Sequence, residues 1–334
     1  MRTDIQTLLE RAISEELFPG AVAAWIDPTG EEQSFAVGRF TYDPHSPQVT
    51  PATQYDVASI TKSIPTSSLA LVLAEQGRLD LDQLVRFYLP DYSGDYPDQL
   101  TVRHLVEFSA PFSLTLSTLK NKPAEDIIDA ILAAPLSAPP GSKRVYANTT
   151  SILLTLIIES VTQESIDTLA DSLFFTPLGM LDTTFEPRKR NTAPSEQDAW
   201  RKGIIQGEVH DESAWKLQEI MVPGSAGLFS TASDLLAFAH MLLAPAQSTT
   251  SLFSQVTLQE MSTGLGWEQN ATWMGNAPTG TFGKTGFTGC CIVINPAKGR
   301  AGILLSNSTW PHRSEEKALL MRQLREKFSY IVLK

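Results

Sequence analysis

The chain has 334 residues, 42% of them hydrophobic and 19% charged, with a formal net charge of −11. That balance is too apolar for a disordered chain and too acidic for one that seeks nucleic acid or an anionic membrane. No run of about 18 apolar residues is present, so no membrane span is expected.

Along residues 3–16, Ile5, Leu8, Leu9, Ala12 and Ile13 recur on one side, which predicts an amphipathic helix. This stretch lacks the apolar core of a signal peptide, so a cytoplasmic location is expected unless a leader has been removed. Gly20–Ile26 reads as a buried strand, Asp27-Pro28-Thr29-Gly30 as a turn, and the next seven residues as a second strand. A Pro- and Thr-rich loop over 42–53 leads to Asp56, a candidate helix N-cap. One helix is expected over 59–76, kinked by Pro65 just after residue 62 and stopped by Gly77. Further helices are expected over 101–108, 124–134, 149–161 and 165–174, and 186–215 reads as a polar excursion without periodicity.

A helix over 231–243 comes next, then one strand over 281–294, a turn at 295–299 and a strand over 300–306. A helix over 315–329 closes the chain. The expected class is α/β (α+β): an antiparallel sheet flanked by helices, built from 1–57 and 225–334. A mainly helical domain, 58–224, is inserted, with the active site in the cleft between them. Cys290 and Cys291 are the only cysteines. Neighbours on a strand face opposite sides, so two buried thiols are expected there, with no disulfide.

Ser59-Ile60-Thr61-Lys62 places a hydroxyl and an amine three residues apart, on one face of a helical turn. A serine hydroxyl becomes a nucleophile only when a base takes its proton, and Lys62 stands where such a base would. The same spacing occurs at Ser117–Lys120, Ser213–Lys216 and Ser314–Lys317. Two downstream triplets single out the first: Tyr146-Ala147-Asn148, then Lys284-Thr285-Gly286. S-x-x-K, a polar triplet and K-T-G, in that order, mark serine β-lactamases and penicillin-binding proteins. Here Tyr-x-Asn stands where those proteins carry S-D-N.

Flanking stretches extend the likeness over nearly the whole chain. They are Phe18-Pro19-Gly20, Gly77-Arg78-Leu79-Asp80-Leu81-Asp82, Tyr88-Leu89-Pro90, Pro140-Gly141, Pro177-Leu178-Gly179-Met180 and Gly227-Leu228-Phe229-Ser230-Thr231. The chain resembles the serine β-lactamase-like family, in its branch of class C β-lactamases, penicillin-binding proteins, D-peptidases and family VIII esterases. One stretch departs. Related chains carry a Thr-His-Thr-Ser-Gly-like run where this one has Leu105-Val106-Glu107-Phe108-Ser109-Ala110-Pro111.

The resemblance implies a β-lactamase/transpeptidase-like fold and a serine hydrolase. Ser59 would be the nucleophile of an acyl-enzyme. Lys62 would take or relay its proton once burial or the Lys284 charge lowers its pKa. Tyr146 would share that role and protonate the leaving group. Asn148 would hydrogen-bond Lys62 and substrate, or cap the helix after it. Lys284 and Thr285 would line the cleft from a strand edge, and Gly286 would let substrate approach the backbone. The backbone N–H groups of Ser59 and Phe287 would form the oxyanion hole. His210 and Asp211 would line the pocket or shape a loop.

No histidine spacing suits a metal and no phosphate loop is present, so no metal or cofactor is expected. The expected activity is that of a carboxylesterase on small esters. Alternatives are a D-peptidase or β-lactamase acting on amides, or, in another class, a catalytically silent binding or scaffold protein. The expected partner is a small ester or amide, and nothing in the sequence sets the oligomeric state.

Overall fold

A computed structural model describes residues 1–27, 29–243 and 252–334. Helix α1 (Arg2–Ser14) buries Ile5, Leu9 and Ala12. It leads into β1 (Gly20–Ile26), buried along its whole length, which pairs antiparallel with β2 (Glu32–Gly38). Between them Asp27 Oδ1 accepts the N–H groups of Thr29 and Glu31, which closes the expected turn; Pro28 lies outside the described residues.

After β3 (Tyr55–Asp56) the expected single helix over 59–76 is corrected. Ala58–Lys62 forms a tight 3-10 turn, Ile64 leaves helical space at φ −119°, ψ 107°, and α2 (Ser68–Glu75) comes after it. Pro65 is the cause, because it lacks an N–H and drives the residue before it out of the helical region. Hydroxyls hold the break. Ser68 Oγ donates to Ser63 O, Thr66 Oγ1 to Gly224 O and Ser63 Oγ to Gly266 O.

The middle of the chain is helical: α3 (Val85–Tyr88), α4 (Val102–Val106), α5 (Ala124–Leu132), α6 (Asn148–Thr162) and α7 (Ile166–Ala170). α6 buries Ile152, Leu153, Leu154, Ile157 and Ile158 at its centre. The stretch 186–215 is more ordered than its sequence suggests. β4 (Glu196–Asp198) pairs with β5 (Gly203–Ile205), and α8 (Glu212–Leu217) begins within it. Strands of three residues are too short to show an alternating pattern.

β6 (Phe229–Ser230) pairs with β3 and leads to α9 (Ala232–Leu243) and α10 (Gln255–Ser262). The last strands are β7 (Glu268–Gln269), β8 (Phe282–Thr285), β9 (Cys291–Asn295) and β10 (Arg300–Ser306). The expected single strand over 281–294 is therefore two. The chain reverses between them, with Gly286 N–H bonded to Cys290 O at 2.8 Å and Gly289 at φ +122°. Helix α11 (Glu315–Leu333) ends the chain.

The antiparallel sheet runs β2-β1-β10-β9-β8-β7, so its strands come from both ends of the sequence. Alternate residues serve two cores. Ala21, Ala23, Trp25, Val293 and Leu304 pack with α1 and with Met321, Leu324, Phe328 and Val332 of α11. Val22, Ala24, Ile26, Ile292 and Ile303 face α9 and the helical layer. Cys290 joins the second core and Cys291 the first; both are free and buried, as their adjacency implies. No helix among the described residues is long and apolar enough to cross a membrane.

Candidate active site

The residue before the nucleophile candidate is strained. Ala58 sits at φ +48°, a region that costs an L-residue free energy. Asp56 holds it there, since its Oδ1 accepts Ala58 N–H at 2.7 Å while its Oδ2 accepts His210 N–H at 2.7 Å. Asp56 is thus a clamp between two loops, and the N-cap of the turn is Val57. The turn presents Ser59 to a cleft of about 480 Å³, walled by Tyr146, Asn148, Asp211, Glu268, Thr285, Gly286, Phe287 and one side of α11.

Lys62 is fully buried, and its Nζ donates to Ser59 Oγ at 3.0 Å and to Ser225 O at 2.6 Å. Burial pushes its pKa down to about 7; Asp211 and Glu268 oppose the fall and the Lys284 charge adds to it. Both causes expected from the sequence act here, and burial is the larger.

Tyr146 faces Ser59, whose hydroxyl favours its ionised form, and its ring centroid is 4.9 Å from Lys62 Nζ and 4.6 Å from Lys284 Nζ. Phe108 stacks on it at 6.2 Å. The departing 105–111 segment therefore supplies a wall behind Tyr146, where Phe108 itself turns at φ +55°. Desolvation pushes the Tyr146 hydroxyl above its ordinary value, so it stands as a phenol able to donate.

Asn148 departs from expectation. Its Nδ2 donates to Asp211 Oδ2 at 3.0 Å and Ser213 Oγ at 3.4 Å, and Lys62 is not its partner. Nor does it cap α6, whose N-cap is Ala147. Asp211 caps α8 instead, accepting Ala214 N–H at 2.8 Å and the Ser213 hydroxyl at 2.6 Å. Burial alone would raise its carboxyl, but those bonds, the Lys62 charge and Asn148 outweigh it and hold the pKa below its ordinary value.

Asp211 lines the cleft and His210 does not. His210 is buried behind Phe287, ring to ring at 5.5 Å, with Nε2 2.8 Å from Glu196 Oε2. Burial works against ionised Glu196, yet bonds from His210 and Arg313 bring its pKa down to about 2.

Lys284 is fully buried and its Nζ lies 2.8 Å from Glu268 Oε1. Its strand is next to last. β7 pairs only with Phe282 and Gly283, so Lys284 and Thr285 run past it. A Cβ on Gly286 would meet Val57 O at 2.3 Å, so glycine is what lets the end of β8 close on the Ser59 turn. Phe287 comes next, 56% exposed at the cleft wall. The other Ser-x-x-Lys of this cleft, Ser314–Lys317, is a helix start: Ser314 Oγ accepts Lys317 N–H, and Lys317 Nζ donates to Trp310 O. Among the described residues no His, Cys, Asp and Glu cluster is placed to hold a metal.

Residues 5–326 match the family model described as Beta-lactamase. The chain belongs to the beta-lactamase family. A protein of Salmonella agona (strain SL483), named as a D-alanyl-D-alanine carboxypeptidase, is 29% identical over an alignment 314 positions long, and the match covers 80% of this chain and 72% of that one. A class C beta-lactamase structure is similar with a TM-score of 0.77 at 20% identity, covering 99% of this chain and 98% of its own. EstCE1, described as a hydrolase with promiscuous acyltransferase activity, gives 0.75 at 19% identity over 97% and 98%. The expected β-lactamase/transpeptidase-like fold is therefore observed, and this beta-lactamase family member is a hydrolase.

Sequence reasoning missed three residues of this candidate site. Glu268 neutralises Lys284 from a two-residue strand that carries no motif. Phe108 sits in the stretch that departs from related chains. Ser225 O, the second acceptor for Lys62, is a backbone atom 163 residues away, which no side-chain pattern reports.

Proposed function

We propose that this protein hydrolyses small carboxylic esters through an acyl-enzyme on Ser59. The observation that carries the reading is Lys62. Its Nζ is 3.0 Å from Ser59 Oγ and its pKa is brought to about 7, so near neutral pH it can accept the Ser59 proton. The Ser59 Oγ–carbon bond forms, and the carbonyl electron pair moves onto oxygen. The backbone N–H groups of Ser59 and Phe287 receive that oxyanion; one such donor is worth about 2.7–4 kcal/mol. The electrons then return, the carbon–alkoxide bond breaks, and the leaving oxygen takes a proton from Tyr146, which Lys62 replaces. Water repeats the sequence on the acyl group and frees Ser59. Asn148 and Asp211, bonded to each other, line the same cleft as Thr285.

The preference for neutral esters rests on the cations. A carboxylate-bearing substrate needs a free one. Here Lys284 is paired with Glu268 and Arg313 with Glu196 and Glu212, while Lys317 and Arg325, without a carboxylate partner among the described residues, are each held on a backbone carbonyl, those of Trp310 and Gly286. The second reading is supported by the name of the Salmonella relative for cleavage of D-alanyl amides and by the family match for cleavage of β-lactams. Against a silent binding protein stand an intact Ser59–Lys62 hydrogen bond and an open cleft.

Purified protein treated with a fluorophosphonate and, separately, with a labelled penicillin would be read by intact mass, beside p-nitrophenyl ester turnover. We expect one fluorophosphonate adduct, lost in Ser59→Ala, and turnover of the acetyl and butyryl esters. An adduct that survives Ser59→Ala overturns the nucleophile. Stable penicillin labelling without ester turnover overturns the ester preference.

A further inference from the structure

Helix α11 carries a half-buried charge at the edge of its apolar side, where the helix meets the cleft. Met321, Leu324, Phe328 and Val332 form its apolar stripe against the sheet, and Arg325 falls within that run. Burial works against the charged form of its guanidinium, which lies near Cys291 and Cys290. Among the described residues its Nε donates to nothing. Its one hydrogen bond runs from Nη2 to Gly286 O, at 2.7 Å. Packing alone does not call for a guanidinium here, since a leucine would suit the stripe at lower cost.

The geometry of that one bond suggests what the charge does. Gly286 C=O and Phe287 N–H belong to a single planar trans peptide, so they point in opposite directions. Whatever fixes the carbonyl therefore aims the N–H. β8 ends at Thr285, and Gly286 O lies beyond the ladder, with Gly289 N–H as its other donor at 3.2 Å. A charge-assisted bond at 2.7 Å is the stronger of the two, and it also polarises the peptide, which makes its N–H a better donor. Ser59, Gly286, Phe287 and Arg325 all line the same cleft.

We propose that Arg325 is a positioning residue of the oxyanion site: it anchors the Gly286–Phe287 peptide so that Phe287 N–H points at the carbonyl oxygen of a substrate on Ser59. This rests on the proposed acyl-enzyme at Ser59. Arg325 acts through the peptide, without bonding to substrate.

Oxoester and thionoester pairs test it, because a site built around oxygen discriminates against sulfur. Wild type, Arg325→Met, Arg325→Gln and Ser59→Ala would be assayed with p-nitrophenyl butyrate and its thiono analogue. We expect wild type to favour the oxoester in kcat/KM. Arg325→Met is expected to lose about 10-fold or more in kcat, with KM changed by less than about 2-fold. Its oxo-to-thiono ratio should fall, because the thionoester has less to lose. A wild-type ratio in Arg325→Met overturns the proposal, whatever its kcat. If that variant does not fold, the ratio in Arg325→Gln decides in the same way. Failure of the acyl-enzyme mechanism looks different: turnover persists in Ser59→Ala, or wild type itself shows no oxoester preference, and the proposal falls with it.

Discussion

Lys62 ties the chemistry of the site to its stability. Its ordinary pKa is 10.5, and burial takes it to about 7 in the folded chain. Between those values the unfolded chain holds a proton that the folded chain has released, so stability rises with pH from about 7 to 10.5. Lys62→Met removes the amine. Below pH 7 that relieves a buried cation, a gain of about 1–4 kcal/mol. Above about pH 10.5 the amine is neutral in both the folded and the unfolded chain, and only the bonds to Ser59 and Ser225 are lost, at about 0.5–1.5 kcal/mol each. The variant should therefore melt above wild type at pH 6, and that advantage should shrink steadily as the pH is raised to 9.5, with no ester turnover at either. A difference in Tm that stays constant between the two pH values would contradict the burial account. In wild type, kcat/KM should climb with pH through about 7 as Lys62 becomes the free base. A rate independent of pH from 6 to 8 would argue for another base. Ser59 and Lys62 are legible in sequence because their relation is local. The sequence puts Asn148 near the site without revealing its partner, because Asp211 is 63 residues away and only the fold brings it close.

At the scale of elements, the end of β8 must approach the Ser59 turn more closely than any side chain allows. Gly286 is not in the left-handed region, so the cost of Gly286→Ala is steric: its Cβ would meet Val57 O at 2.3 Å. Pushing β8 from the turn should cost about 1–3 kcal/mol of stability. It should also lower kcat/KM by about 10²-fold, since a shift of about 1 Å misplaces the oxyanion donor proposed on Phe287. Gly299→Ala is the converse. Its φ is +62° with nothing near, so it should lose about 1 kcal/mol of stability and keep full activity. Equal activity loss in both would mean that general destabilisation, not the Gly286 contact, sets the rate. The bounds of β1 and β10 are readable because these strands are buried on both faces and give unbroken apolar runs. The reversal between β8 and β9 is hidden because apolar residues resume at once at Cys290 and Cys291. β7, with two residues, has no pattern to read.

Across the whole molecule, one sheet serves two cores, and the adjacent cysteines report on both. Burial pushes Cys290 up to about 11 and Cys291 to about 12, so neither thiol should react with iodoacetamide at pH 8 while the chain is folded. Cys290 packs with the helical layer, and Cys291 with the layer of α1 and α11. β1 gives Ala21, Ala23 and Trp25 to one core and Val22, Ala24 and Ile26 to the other, so losing either core strips one face of the same strand. Such strands should couple the two layers into one transition. Single-thiol variants, Cys290→Ala and Cys291→Ala, pulsed with iodoacetamide across a urea series, should be labelled at midpoints that track their own loss of far-UV signal. If Cys291 reacts at lower urea than that loss, the layer formed by the two ends of the chain separates first. The cleft wall that α11 contributes, with Arg325 in it, would then be lost before the Ser59 turn itself unfolds.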